Sequence, residues 1–304
     1  MLTNISIEDA GRILAEEKVD INITEKSLLD SLDYVLAEDI KSAINIPPFD
    51  RSPLDGYAYR SEDTVNAAED SPVTLNVIDN EHAGYVSSKR IDKGQAIRIM
   101  TGAKIPEGAD TVMKYEDTKF TDKFVKIFNY LKPQSNIVKE GEDIKAGDVV
   151  LSKGMIIGPA EIGILASLGR AYVKVYAKPR AAILSTGDEL VDIGGELKEG
   201  KIRNSNSYTI ASQVKKWGGE AEMLGICKDN VEDTARLLKS SLKWADIIIT
   251  TGGASVGDAD IIKEAFLEIG CKILFWRVKA KPGTPIVAAK YETLLQHILH
   301  LSNL

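Results

Sequence analysis

The chain has 304 residues, 44% of them hydrophobic and 27% charged, with 45 acidic against 38 basic side chains and a formal net charge of −7. That length asks for two or three domains rather than one small core, and the acidic balance excludes a general nucleic-acid surface while leaving room for a local basic pocket. Cys227 and Cys271, far apart and in apolar surroundings, read as reduced core residues rather than a disulfide or zinc framework; with no apolar run of membrane-span length and no signal-like N-terminus, a soluble, cytoplasmic protein is expected.

Residues 7–16 set Ile7, Ala10, Ile13 and Leu14 at helical spacing behind a Ser6 cap. A second helix is expected from Thr24, with Leu28, Leu29, Leu32, Val35 and Leu36 on one face. Pro47, Pro48 and Pro53 then exclude helix interior and central strand, so residues 46–59 read as a rigid loop carrying Asp50, Arg51, Asp55 and Tyr57. That loop is either a chemical site or a solvated domain boundary. Short β-like runs at 73–78, 96–100, 111–115 and 124–129 suggest a small antiparallel or barrel-like domain. Between two of them lies a Gly-rich loop, 101–110, which by itself reads as a plain connection headed by Thr101. A charged turn at 139–148, a strand at 149–151, a helix from Pro159 stopped by Gly169 and a strand at 172–177 lead to a joint at 178–180.

From there strands and helices alternate: 181–185, a helix ending at Trp217, 220–226, a helix over 231–244, 245–249, a helix over 261–269, 272–278 and 286–289. This implies a parallel sheet with helices on both faces and its loops gathered on the rim at the strands' carboxyl ends. Two such loops share one design. Thr186, Gly187, Asp188 and Glu189 follow one strand; residues 250–260, with Thr251, Gly252, Gly253, Ser255, Gly257, Asp258 and Asp260, follow another. Glycines admit close backbone approach to an oxyanion, hydroxyls donate, and carboxylates suit a hard cation such as Mg²⁺. An ordinary turn with Asp258 as a helix cap accounts for 250–260 equally well on its own. The basic loop 279–285, with Lys281, stands beside the acidic one. Neither GxxxxGKS/T nor GxGxxG is present, so the residues alone support a phosphorylated-ligand-binding α/β domain with a β-rich companion.

Taken in order, PPFDRSPLDGYAY at 47–59, MTGAKIPEGAD at 100–110, EGEDIKAGDVV at 140–150, STGDEL at 185–190, IRNSNSY at 202–208, TTGGASVGDAD at 250–260 and AKPGTP at 280–285 resemble the molybdopterin molybdenumtransferase family, the bacterial MoeA proteins and the E domain of gephyrin. The resemblance implies an α/β multidomain protein. It would have an elongated linker and dimerisation region over 1–47 and 141–178, a β-rich inserted domain over 48–140, and a three-layer α/β molybdopterin-binding domain over 179–304, with the family's C-terminal β domain absent. It also implies a cytosolic homodimer that takes molybdate and adenylylated molybdopterin as substrates, releases AMP and depends on Mg²⁺. The family's acidic residues fall on Asp55, Asp143, Glu189 and Asp260 and its threonine on Thr101, with Glu189 and Asp260 on the metal. Gly252, Gly253, Ser255, Gly257, Asn204, Ser205, Lys281 and Arg277 fall on the ligand side. The chain departs from the pattern at Arg51, where Asn is usual, and at Val138 and Thr284, where cations are usual. It departs most at 293–304, which matches nothing in that pattern, has the look of a truncated end and reads as a weak helix with His297 and His300 on the surface. A binding or scaffolding member without turnover, and a generic phosphorylated-ligand protein, are the alternatives.

Overall fold

The computed structural model describes residues 2–17, 21–252, 258–280, 286–291 and 296–301, and for 258–260 and 296–301 the backbone alone. In chain order the strands and helices are β1 (Leu2–Ile5), α1 (Ile7–Glu16), β2 (Ile23–Ser27), β3 (Ile40–Lys41), β4 (Gly56–Tyr59), β5 (Val73–Glu81), β6 (Gln95–Ile99), β7 (Thr111–Lys114), β8 (Thr118–Phe120), β9 (Phe124–Ile127), β10 (Val149–Leu151), α2 (Pro159–Ser167) and β11 (Tyr172–Tyr176). There follow β12 (Arg180–Thr186), β13 (Leu190–Val191), β14 (Ile202–Arg203), α3 (Asn206–Lys216), β15 (Glu220–Cys227), α4 (Val231–Ser241), β16 (Ile247–Gly252), α5 (Asp258–Glu268), β17 (Cys271–Val278), β18 (Ile286–Tyr291) and β19 (Gln296–Leu301). They gather into two compact units, one of residues 1–37, 156–162 and 171–304, the other of 38–155 and 163–170.

The first unit is built on a seven-stranded sheet in the order β1-β17-β18-β19-β16-β12-β15. Neighbours run parallel except at β18, which is antiparallel to both β17 and β19, so six strands point one way. The sheet is therefore mixed rather than parallel throughout. Alternation along the strands makes three layers. Ala182, Leu184, Ile248, Val287 and Ala289 pack with Ala235 and Leu238 of α4 and Ala265 and Phe266 of α5. Ile183 and Ile249 meet Ile210 of α3 on the other face, where Ala288 and Phe275 also meet Ala10 of α1. Ser6 caps α1, accepting from the Asp9 amide at 3.0 Å.

Two expectations in this unit fail. Residues 24–36 form no α-helix: β2 pairs antiparallel with β11, Ile23 opposite Tyr176, a single 3-10 turn spans Leu29–Ser31, and Val35 and Leu36 bridge to Ile156 and Val175. Extended pairing to a distant partner overrides the helical spacing of the leucines. The tail is no helix either, because Gln296–Leu301 is β19, lodged between β18 and β16.

The second unit holds a six-stranded sheet in the order β7-β4-β6-β5-β9-β8. All neighbours are antiparallel except β5 and β6, which are parallel. The segment expected to be rigid loop up to residue 59 ends in β4, a buried strand flanked on both sides. Its Tyr57 and Tyr59 join Leu75, Met113 and Val125 on one face; Ala58 joins Ile97, Ile99 and Val112 on the other. The prolines stop at Pro53, so nothing prevents pairing from Gly56 onward. α2 ends as its glycine predicts: Gly169 takes φ 71°, its amide donates to the Ala166 carbonyl at 3.0 Å and that of Arg170 to Leu165 at 2.9 Å, a Schellman pattern. Among the described residues no helix is long and apolar enough to cross a membrane.

Gly56 admits no side chain, since a Cβ there would lie 2.0 Å from the Met113 carbonyl oxygen of the adjoining strand. Gly56→Ala is expected to lower stability by at least about 2 kcal/mol through overpacking against backbone, read by denaturant unfolding; an unchanged midpoint would refute this.

Candidate functional site

β12 and β16 lie side by side and parallel, with Ser185 opposite Thr251 and Thr186 opposite Gly252. Both strands thus deliver hydroxyls to the same edge. Ser185 is fully buried there and its Oγ meets three partners: Ser207 Oγ at 2.6 Å, Thr251 Oγ1 at 2.9 Å and Asn204 Oδ1 at 3.1 Å. Asn204 Nδ2 donates to Ser207 Oγ at 3.1 Å. The result is a neutral, closed polar network under the rim, whose members are costly to unpair. Gly252 has a steric reason of its own, because a Cβ would lie 2.0 Å from Thr186 Oγ1.

Above the network Gly187 adopts φ 142° with the Glu189 carboxylate folded against its Cα, close enough that a Cβ would lie 2.4 Å from Oε2. Glu189 is half-buried, and its backbone carbonyl accepts from Ile202 at 2.9 Å, which fixes the short β13–β14 pair. Arg203 donates to the carbonyls of Asp192, Ile193 and Gly195, so its guanidinium shapes the loop rather than serving a ligand. Next to the network a cleft of about 360 Å³ is lined by Asp192, Asn204, Ser207, Tyr208, Met223, Gly225 and Ile226. Tyr208 donates to Asp192 Oδ1 at 3.0 Å, and that bond to a carboxylate holds its phenol above the usual pKa.

In the second unit the antiparallel register sets Gly56 opposite Ile99, so the residues just outside that pair, Asp55 and Thr101, come together. Asp55 Oδ1 accepts from the Thr101 amide at 2.7 Å and from its hydroxyl at 2.8 Å. The amide bond, then the hydroxyl, with a through-space contribution from Arg98, hold this exposed carboxyl below its ordinary pKa. The 46–52 segment ties the neighbouring loops together. Arg51 and Val138 exchange backbone bonds at 3.0 Å, Gly102 donates to Ser52 at 2.8 Å, and Asp143 donates its amide to Ile46 at 2.9 Å. Asp50 accepts from Lys139 Nζ at 2.7 Å, and that bond lowers its pKa.

The sequence-derived residues therefore fall into two sets, one per unit. Asp55 and Thr101 are in direct contact, and Asp143 is exposed on a segment laced to the same loop. Glu189, Asn204 and Gly252 share the rim of the first unit, Ser205 precedes α3 without a capping bond, and Asp260 lies in the first turn of α5. Arg277 stands near the same edge on β17 at φ 67°, its guanidinium 5.8 Å from the Trp276 ring centre. Three strand spacings, about 14 Å, separate it from β16. Gly253, Ser255, Gly257 and Lys281 lie outside the described residues. The sheet also sets half-buried Asp229, which follows β15, on this rim. Sequence reading missed it, although its place after a strand was the available signal. Among the described residues no three His, Cys, Asp or Glu side chains converge as a metal cluster.

The model of the MoeA N-terminal region, domains I and II, matches residues 5–169, and that of a probable molybdopterin binding domain matches 182–301. The chain is 42% identical over 287 residues to the molybdopterin molybdenumtransferase of Staphylococcus epidermidis, covering 94% of this chain and 68% of that protein. It is 39% identical over 285 residues to that of Staphylococcus aureus, with the same coverage. This chain belongs to the molybdopterin molybdenumtransferase (MoeA) family. A solved molybdopterin biosynthesis MoeA protein from Pyrococcus horikosii superposes at a TM-score of 0.87 with 32% identity, covering 98% of this chain and 74% of that one.

The match to the binding-domain model reaches residue 301, so 293–301 lie within the family pattern after all, with Gln296–Leu301 as the strand β19 described above. Two expectations follow from the site geometry. Ser185→Ala leaves Ser207, Thr251 and Asn204 short of a partner in a buried network and is expected to cost about 1–3 kcal/mol, read as a lower Tm; unchanged stability would show the network to be inert. Thr101→Ala removes one of the two bonds to Asp55, so the Asp55 titration followed by NMR should move up in pH, partly, because the amide bond remains. A midpoint that stays put would contradict that bonding.

Proposed function

We propose that this chain carries out the last metal-loading step of molybdenum cofactor biosynthesis. It takes adenylylated molybdopterin and molybdate, leaves molybdenum on the pterin dithiolene and releases AMP in a Mg²⁺-dependent reaction. The observation that carries this reading is the β12–β16 rim. There a closed network of buried hydroxyls and one amide fixes the backbone from which Glu189 projects, within a chain of the MoeA family. The relatives named molybdopterin molybdenumtransferase support the choice of reaction.

The donor chemistry suits Mg²⁺. Glu189 is a half-buried carboxylate held against Gly187 on a rigid turn, and Mg²⁺ takes one or two protein carboxylates with the remaining oxygens from water and substrate phosphate. Glu189 and Asp260 would hold it, and when bound it neutralises charge on the phosphates being separated. Gly252, and by sequence Gly253 and Gly257, would bring backbone amides to anionic oxygens. Asn204 holds the network while Ser205, outside it, is available to ligand, and Lys281 and Arg277 supply positive charge. Asp55 is kept ionised by Thr101, and Asp55, Thr101 and Asp143 form the second acidic set. With this reading go the three-part division at 1–47 with 141–178, 48–140 and 179–304, a homodimer, and a cytoplasmic setting.

Binding without turnover is favoured by one feature. Val138 stands where the family pattern has a cation, and its backbone serves the pairing with Arg51 while its side chain contributes no charge. The two readings separate in one assay. Purified chain given adenylylated molybdopterin, molybdate and Mg²⁺ is expected to release AMP, and Glu189→Gln to slow that release by on the order of 100-fold with folding intact. Folded protein that binds the pterin yet releases no AMP would overturn the proposed reaction.

A further inference from the structure

Arg98 lies on the central strand β6 of the second unit, opposite Tyr57 of β4. Its guanidinium carbon sits 5.0 Å from the centre of the Tyr115 ring, within cation–π range. Tyr57 and Tyr115 are stacked, 6.0 Å apart and 8° from parallel, and Phe120 packs on Tyr115 at 4.3 Å. Arg98 is poorly satisfied in this setting. Its Nε is buried without a hydrogen-bond partner, its Nη2 reaches the Tyr115 hydroxyl only at 3.4 Å, and among the described residues no carboxylate forms an ion pair with it. A guanidinium stacked by one face keeps N–H groups for a carboxylate or phosphate, which it binds in bidentate fashion.

Arg98 lines a cavity of about 320 Å³ together with Tyr57, Phe120, Asn80 and Asp122. Its size is at the small end of ligand cavities, roughly 300–1,000 Å³, which suits one ring system and not a dinucleotide. Phe120, which also lines it, is 42% exposed and so leaves part of its ring for a ligand. Asn80 and Asp122 add an amide and a carboxylate suited to ring N–H groups and ring nitrogens. Asp79, which also borders it, is engaged by Ser87 at 2.7 Å and by the Asn80 amide at 2.9 Å.

We propose that this cavity is a second ligand site, independent of the β12–β16 rim, for a planar heterocycle bearing a phosphate or carboxylate. The anion would lie on Arg98 and the ring on Phe120. Hydrogen exchange of the full chain measured with GMP, orotate, guanosine and inorganic phosphate tests this and distinguishes the two kinds of anion. GMP or orotate is expected to protect segments 77–80 and 118–122, while guanosine and phosphate at the same concentration protect them at least about tenfold less. Arg98→Gln should weaken that protection about tenfold or more, and Glu189→Gln should leave it unchanged. Should Arg98→Gln fail to fold, Phe120→Ala, a change at an exposed side chain, carries the test by the same loss. Absence of protection with both GMP and orotate at millimolar concentration, or protection that survives Arg98→Gln or a folded Phe120→Ala, overturns the proposal.

Discussion

The contact between Gly252 and Thr186 governs the first unit. With 2.0 Å between the place of a Cβ and Thr186 Oγ1, only glycine lets the ends of β12 and β16 close up. That closure brings Ser185 and Thr251 within 2.9 Å of each other. Every later feature of the rim follows from it. The hydroxyls at the strand ends turn to one another and to Asn204 and Ser207, and the network they form is uncharged and saturated. A saturated network is a floor rather than a binding surface. What stands on that floor among the described residues is the Glu189 turn.

The second unit reaches a similar result by another route. Gly56 lies against the Met113 carbonyl as Gly252 lies against Thr186, and in each case the residues next to the glycine carry the chemistry. In the antiparallel sheet, however, the register itself pairs the flanking residues: fixing Gly56 opposite Ile99 forces Asp55 towards Thr101. In the parallel sheet the loops leave the same edge and meet only beyond it. This difference explains why Asp55 is already bound to its partner, while Glu189 rests against backbone.

Elements bounded by local signals were legible in the sequence. Ser6 announces α1, and Pro159 and Gly169 bracket α2, because caps and stops act within a few residues. The Asp55–Thr101 and Glu189 sets were legible through motif order, and hydroxyl–glycine–acid after a strand is a physical pattern in its own right. Elements defined by distant partners were not legible. The leucines of 28–36 have helical spacing, yet β2 is held by β11, more than a hundred residues on. Three prolines coloured the reading of the whole 46–59 stretch, although β4 begins beyond the last of them. The direction of β18 and the insertion of β19 beside β16 are tertiary choices that no periodicity encodes. The pairing of the Asn204 amide with Ser185 and Ser207 is likewise set by the fold and not by any motif.

Two carboxyl groups near the Met100–Thr101 peptide show how one strand end can shift pKa values in opposite directions. The Met100 amide donates to the Glu81 carbonyl at 3.0 Å and the Thr101 amide to the Asp55 carboxylate at 2.7 Å. Asp55, exposed and doubly hydrogen-bonded, has its pKa lowered. Its contribution to stability is present above the unfolded-state pKa and is lost as pH falls through the folded one. Glu81 is fully buried, with neither oxygen in hydrogen-bond geometry, and burial raises its pKa against a smaller opposing pull from the Ser87 amide. Its contribution has the opposite sign, being complete below the unfolded-state pKa and lost as pH rises through the folded one. The turn bearing Thr101 is thus anchored through the backbone of a residue whose carboxyl pKa is raised and presents one whose pKa is lowered. Environments that push neighbouring carboxyls apart in this way mark where a fold sets charge at a chosen place. Here the charge is favoured on Asp55, at the surface.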